Sequence, residues 1–143
     1  DSASYDLVDL HGYLGRVVAG SMGHASGVEV RNEVEHLEVP TKTAVTLGLI
    51  VNELVSNALK HGFNDVDPKM FALTSYIDQE SLVLTASNTG NPAPTGMSLD
   101  QPSSLGLQLV TALAEQLDGS AELRRIPQAE VTLHVPARNG TVQ

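Results

Sequence analysis

The chain has 143 residues, 41% of them hydrophobic and only 3% aromatic, which fits one globular domain with an aliphatic core rather than a disordered segment. It has no cysteine, so disulfides, thiolate metal sites and cysteine nucleophiles are excluded. The formal net charge is -9, which argues against nucleic acid and against direct contact with an anionic membrane, because both need basic surface.

In chain order, residues 6–20 place Leu7, Leu10, Leu14, Val17 and Val18 at helical spacing. The segment 28–39 alternates Val28, Val30, Asn32 and Val34 and reads as one strand. Pro40 ends it, and Thr41 or Thr43 is expected to cap a helix over 43–62 that Gly62 closes. A turn follows at Asp65 to Pro68. Residues 70–77 and 81–88 read as a hairpin joined by Asp78, Gln79 and Glu80. Residues 89–103 hold three prolines and two glycines and read as a loop. Ser103 or Ser104 is expected to cap a helix running to about Leu117, ended by Asp118 and Gly119. Strands near 120–126 and 129–135 complete an ordered core of about 6–136, leaving 137–143 as a tail. The whole of 1–143 reads as a single domain, and the absence of an initial methionine suggests a piece of a longer protein.

Short connections between the late strands require antiparallel pairing. The expected fold is therefore α+β: a two-layer sandwich of a mixed, mostly antiparallel sheet with three helices on one face.

On the 43–62 helix, Leu47, Val51, Leu54, Val55 and Ala58 form an apolar stripe. Asn57, Lys60 and His61 follow Glu53 by four, seven and eight positions and form a polar stripe beside it. Asn52 and Asn57 also stand out, because amides compete for backbone hydrogen bonds and are mediocre helix formers.

The run NELVSNALKHGF, Asn52 to Phe63, resembles the N box of the GHKL superfamily. The preceding VPTKTAVTLGLI extends the likeness towards two-component sensor histidine kinases of the HWE-related branch. SNTGNP, Ser87 to Pro92, stands where that family has its first glycine box, and SSLGLQLVTALAEQLDG, Ser103 to Gly119, resembles the second. The resemblance spans about Leu7 to Val135 and implies the Bergerat ATP-binding fold.

It also implies roles. Asn57 matches the ligand of a Mg²⁺ that bridges the ATP phosphates, and an amide oxygen suits that hard ion. Glu53 matches the catalytic acid that orients groups near the reacting phosphate, and Lys60 and His61 match positions near the phosphates. Asn88 takes the place of the aspartate that accepts from the adenine amine. Gly90 would let the backbone pass close to the base. Gly106 and Leu107, at a helix start, would offer N–H groups to the phosphates. Each position also has a plain structural reading. His61 suits a helix C-terminus, Lys60 and Glu53 a solvated surface, Gly106 close packing, and Asn57 a buried and satisfied amide. His11, His24, His36 and His134 read as structural or surface residues.

The chain departs from the pattern at Asn88, which replaces aspartate, at Pro92, which replaces a glycine, and at Ser104. An amide both donates and accepts, so Asn88 is expected to weaken ATP binding and blur discrimination against GTP. The resemblance further implies a cytoplasmic catalytic domain that phosphorylates a histidine on a separate helical domain of its parent protein. That parent would be a homodimer, and a response regulator would receive the phosphoryl group. Two alternatives are a degenerate scaffold of the same fold and an anti-sigma-type serine kinase.

Overall fold

A computed structural model describes residues 6–24, 27–63, 68–90, 105–124, 129–138 and 141–142. Strand β1 (Leu7–Asp9) leads into helix α1 (Leu10–Met22), followed by β2 (Val28–Glu33) and β3 (Glu38–Pro40). Helix α2 (Thr41–Asn57) continues as a π-helical stretch, Ala58–Gly62. Then come β4 (Lys69–Asp78), β5 (Ser81–Asn88), α3 (Leu105–Gln116), β6 (Ser120–Arg124), β7 (Glu130–Arg138) and β8 (Thr141–Val142).

The main sheet runs β2-β4-β5-β7-β6, and β8 pairs with β7 beyond it. Only β2 and β4 are parallel; they are the pair separated in sequence by α2, and a crossover of that length is what a parallel neighbour needs. The other pairs are antiparallel, as the short connections require. Registers align Phe71 with Asn88, Leu73 with Ala86, Leu84 with Leu133 and Leu82 with Val135. These residues therefore share one face of the pleat. They are buried with Leu10, Leu14 and Val18 of α1, Leu47, Val51 and Val55 of α2, and Val110 and Leu113 of α3 in one core. The architecture is the two-layer α+β sandwich that the sequence predicts, with α2 lying between α1 and α3.

Several boundaries differ from the sequence reading, each for a local reason. Residues 7–9 are not helical: β1 pairs antiparallel with β3, and Leu7 is exposed rather than on the core stripe. Asp9 caps α1 by accepting from the Gly12 N–H at 3.0 Å. That bond holds the Asp9 carboxyl below the ordinary carboxylate range against partial desolvation, with His36 at 3.0 Å helping. The carboxylate's contribution is complete at neutral pH and is lost as the pH falls through this lowered pKa.

The single strand expected over 28–39 is two strands. Asn32 donates to the His11 carbonyl and accepts from the Val34 N–H, which turns the chain out of the sheet. Neither Thr41 nor Thr43 caps α2 through its side chain. The Thr41 N–H and hydroxyl both donate to the Asp6 carbonyl, and Thr43 is buried. Past Pro136 the strand continues, and Ala137 pairs with Val142 where a tail is expected. The expected turn at 65–68 lies mostly outside the described residues, as do most of the 89–103 loop, the Ser103 and Ser104 caps, and residues 125–126 at the end of the strand expected near 120–126.

The end of α3 shows why its closing residues are what they are. Asp118 takes the left-handed conformation with φ 56, while the Asp118 and Gly119 N–H groups bond Glu115 and Ala114 carbonyls. Gly119 serves a different need: a Cβ there would lie 2.2 Å from the His134 carbonyl oxygen. Gly119→Ala should therefore lower stability by about 1–3 kcal/mol, since backbone of β7 would have to move. Gly20, on α1 with nothing within 4 Å of an added Cβ, is the control; Gly20→Ala should raise stability by roughly 0.5–1 kcal/mol. Thermal melts of the two variants should move in opposite directions, and a neutral Gly119→Ala would refute the close-approach reading.

Candidate functional site

The apolar stripe of α2 fixes how its polar residues are presented. Leu47, Val51 and Val55 are fully buried, and Leu54 and Ala58 nearly so. With that side committed to the core, Glu53 and Asn57 come to lie half-buried one turn apart, at the edge of the helix layer. Asn52 lies about 100° around the helix from Glu53. It faces α1, where its Oδ1 accepts from the Ser21 hydroxyl. It is a strut between two helices, separate from the Glu53 and Asn57 face.

After Asn57 the helix widens into the π stretch that contains Lys60 and His61. A π turn takes more residues per revolution than an α turn, so these two side chains lag behind the positions that α-helical spacing gives them. Both are exposed, while Glu53 and Asn57 are half-buried. Single π turns inside α-helices are frequent at functional sites.

The π stretch carries Gly62 against the end of β5. A Cβ on Gly62 would lie 2.5 Å from the Asn88 amide nitrogen, so a side chain at 62 and Asn88 in its present place are incompatible. Gly62 has no left-handed φ; its value lies in the missing Cβ, and the cap role expected of it is not the one it fills. Asn88 is 8% exposed. Its Nδ2 donates to the Thr89 carbonyl at 2.9 Å. A carbonyl only accepts, so this bond fixes the amide's orientation and leaves Oδ1 as its outward acceptor.

Thr89 anchors the same corner. Its hydroxyl donates to the Pro68 carbonyl and accepts from the Met70 N–H, and its own N–H donates to the Met70 carbonyl. Gly90 follows with φ 122, a conformation open to glycine and strained for other residues. Gly106 and Leu107 fall in the first turn of α3, and their side-chain surroundings lie outside the described residues.

The structure thus joins Asn88, Thr89 and Gly90 to the C-terminal end of α2 through Gly62. The sequence reading missed Thr89 and the contact role of Gly62. A threonine between Asn88 and Gly90 is a visible signal of side-chain anchoring at a strand end, but its partners are distant in sequence.

Hydrogen bonding separates the asparagines. Asn32, Asn52 and Asn88 are engaged within the protein. Asn57 has no hydrogen-bond partner among the described residues, and neither does Glu53. A half-buried amide and a half-buried carboxylate, one turn apart and both unengaged, offer oxygen donors suited to a hard cation. No group of three or more His, Asp or Glu side chains among the described residues can hold a metal by itself. A cation here would share its remaining ligands with water or a bound anion. Magnesium accepts such partial coordination readily.

Comparison with known proteins bears on the family and the fold. Residues 25–133 match the family described as the histidine kinase-like ATPase domain. The chain is 29% identical over 127 residues to blue-light-activated histidine kinase 2 of Erythrobacter litoralis, covering 86% of this chain and 36% of that protein. It therefore spans about a third of that relative's length. The histidine kinase domain of the Erythrobacter litoralis EL346 blue-light-activated kinase superposes with a TM-score of 0.82 at 25% identity, covering 95% of this chain and 65% of that one. The ATP-binding domain of PrrB from Mycobacterium tuberculosis shares the fold, with a TM-score of 0.75 at 22% identity over 96% of this chain and 100% of that one.

The Gly62–Asn88 contact makes a prediction free of any ligand. Gly62→Ala should displace the Asn88 amide and break its bond to Thr89, at a cost of about 1 kcal/mol. In an Asn88→Ala background the same substitution should cost little. A double-mutant cycle by chemical denaturation measures the coupling, and additive effects would show that the two residues do not press on each other.

Proposed function

The chain belongs to the histidine kinase-like ATPase domain family, and from that premise we propose that it binds Mg-ATP at the C-terminal end of α2 and donates the γ-phosphoryl group to a histidine on a separate helical domain. The observation that carries this reading is Asn57: it is held half-buried on a core-anchored helix, next to Glu53, with its oxygen donor unengaged.

In this reading Asn57 supplies one ligand to Mg²⁺. The ion, when bound, neutralises charge on the phosphates as phosphoryl transfer requires. Glu53 orients the groups around the reacting phosphate from one turn back. Lys60 and His61, both exposed, approach the phosphates from the π stretch, and Lys60 adds positive charge to a chain whose net charge is -9. Gly106 and Leu107 lie in the first turn of α3, whose unpaired N–H groups suit an anion. The protein's contribution is positioning and electrostatics, the main requirement of this chemistry.

Asn88 reads the base. Its Nδ2 is tied to Thr89, so Oδ1 accepts from the adenine amine and repels guanine O6. The bond to Thr89 bears against the flip, expected from sequence, that would blur the two purines. Gly90 leaves room for the ring beside it.

The relatives described above are histidine kinases, which leaves the scaffold and serine-kinase readings without support. Phosphotransfer onward to a response regulator, a homodimeric parent protein and a cytoplasmic setting belong to this proposal. No described helix is long and apolar enough to cross a membrane.

Titration with a fluorescent ATP analogue, with and without Mg²⁺, tests the reading. Wild type should bind saturably and depend on the metal, and Asn57→Ala should lose roughly tenfold or more of the Mg-dependent affinity while keeping its fold. Equal Mg-ATP binding by the variant would overturn the assignment of Asn57. Competition with ATP and GTP should show a preference for ATP that falls about fivefold in Asn88→Ala; an unchanged ratio would mean that Asn88 does not contact the base.

A further inference from the structure

The end of β5 departs from an ordinary antiparallel ladder at one atom. The β4–β5 register pairs Phe71 with Asn88, so the next pair outward is Met70 with Thr89. The Asn88 N–H points away from β4, to the Ala129 carbonyl. Hydrogen-bonded and non-hydrogen-bonded pairs alternate along such a ladder, so Met70 and Thr89 form a pair that exchanges two backbone bonds. One of the two is present: the Thr89 N–H donates to the Met70 carbonyl at 2.9 Å. The other is replaced. The Met70 N–H donates at 2.8 Å to the Thr89 hydroxyl instead of the Thr89 carbonyl.

The exchange decides where the Thr89 carbonyl goes. A carbonyl in the ladder lies in the plane of the sheet and points at the facing strand. The Asn88 side chain stands off that plane, on the core face with Phe71. The two meet only if the carbonyl turns out of the ladder, and they do meet: Asn88 Nδ2 donates to it at 2.9 Å. The Thr89 hydroxyl proton is meanwhile spent on the Pro68 carbonyl at 2.8 Å. With its one proton committed there, the same oxygen accepts from the Met70 N–H. A single side-chain oxygen thus closes the strand end and releases a carbonyl for the neighbouring amide.

We propose that Thr89 is the positioning residue that sets purine specificity: its hydroxyl stands in for its own carbonyl in the β4–β5 ladder, and the freed carbonyl holds the Asn88 amide with Oδ1 turned outward as the acceptor for an adenine amine. This rests on the reading of Asn88 as the base contact. It adds that the choice of purine lies in the hydroxyl of a residue that acts through Asn88. Without that oxygen the carbonyl returns to the Met70 N–H and the ordinary ladder closes. The Asn88 amide is then free to turn its Nδ2 towards guanine O6.

The test uses the whole chain and two readouts. Competition of ATP and GTP against a fluorescent ATP analogue, in Mg²⁺, gives the purine preference. Thr89→Val keeps the shape of the side chain and loses the oxygen; it should lower the ATP-to-GTP ratio about fivefold. Thr89→Ser should hold the ratio within about twofold of wild type. Binding should stay magnesium-dependent in both, since that dependence is assigned to Asn57, whereas a general collapse of the site would remove it. In an Asn88→Ala background, Thr89→Val should move the ratio no further. Hydrogen exchange of the Asn88 side-chain amide, followed by NMR without nucleotide, reads the lock itself: slowed in wild type and Thr89→Ser, fast in Thr89→Val. If Thr89→Val does not fold, Thr89→Ala removes the same oxygen. An unchanged ratio in Thr89→Val beside a lowered one in Asn88→Ala would overturn the role of Thr89 and leave Asn88 as the base contact. A ratio lost in Thr89→Ser as well, or exchange equally slow in Thr89→Val, would overturn the assignment to the hydroxyl. A ratio unchanged in both Thr89→Val and Asn88→Ala would overturn base reading by Asn88, and the purine role of Thr89 with it.

Discussion

The commitment of one side of α2 to the core is the constraint on which the rest of the structure depends. Leu47, Ile50, Val51 and Val55 are fully buried against the sheet and the flanking helices, each contributing on the order of 1.5–3 kcal/mol by leaving water. With those positions fixed, the helix cannot rotate. Glu53 and Asn57 then have one possible direction, along the border between the helix layer and the open edge. A site built on a packed helix is held more precisely than one built on a loop. The C-terminal end of α2 remains polar, with Asn57 unengaged by the described residues.

The asparagines show how the same residue type divides between structure and chemistry. Asn32 bends the chain out of β2, Asn52 ties α2 to α1, and Asn88 locks the end of β5 to Thr89. In each the amide is spent on the protein's own backbone or hydroxyls. Asn57 and Glu53, one turn apart on an ordered helix, are half-buried and keep their oxygens free of hydrogen bonds to the described residues.

The glycines near the site act through space rather than through conformation. Gly62 admits the Asn88 amide and Gly119 admits the β7 backbone, while the left-handed position at the end of α3 is filled by Asp118. The consequence is that the end of α2 and the end of β5 pack closely against each other at Gly62 and Asn88. The metal-binding and base-reading groups of the proposed site are then held at a fixed separation, which is what catalysis by positioning demands.

The sequence by itself determined the α+β class, the antiparallel pairing of the late strands, the buried stripe of α2 and the identity of its polar face. Those features follow from local periodicity and from connection lengths, which a single chain displays openly. It also carried enough of the ordered boxes around Asn52 to Phe63 and Ser103 to Gly119 to identify the family. The tertiary structure decided what depends on contacts between distant segments. Asn52 belongs to a helix–helix strut because Ser21, 31 residues earlier, faces it. Leu7 to Asp9 form a strand because Glu38 to Pro40 pair with them. Gly62 matters because Asn88 arrives beside it, and Asn88 has a fixed orientation because Thr89 is itself pinned to Pro68 and Met70. Periodicity reports which side of an element is buried; it carries no information about which side chain from elsewhere in the chain will meet it there.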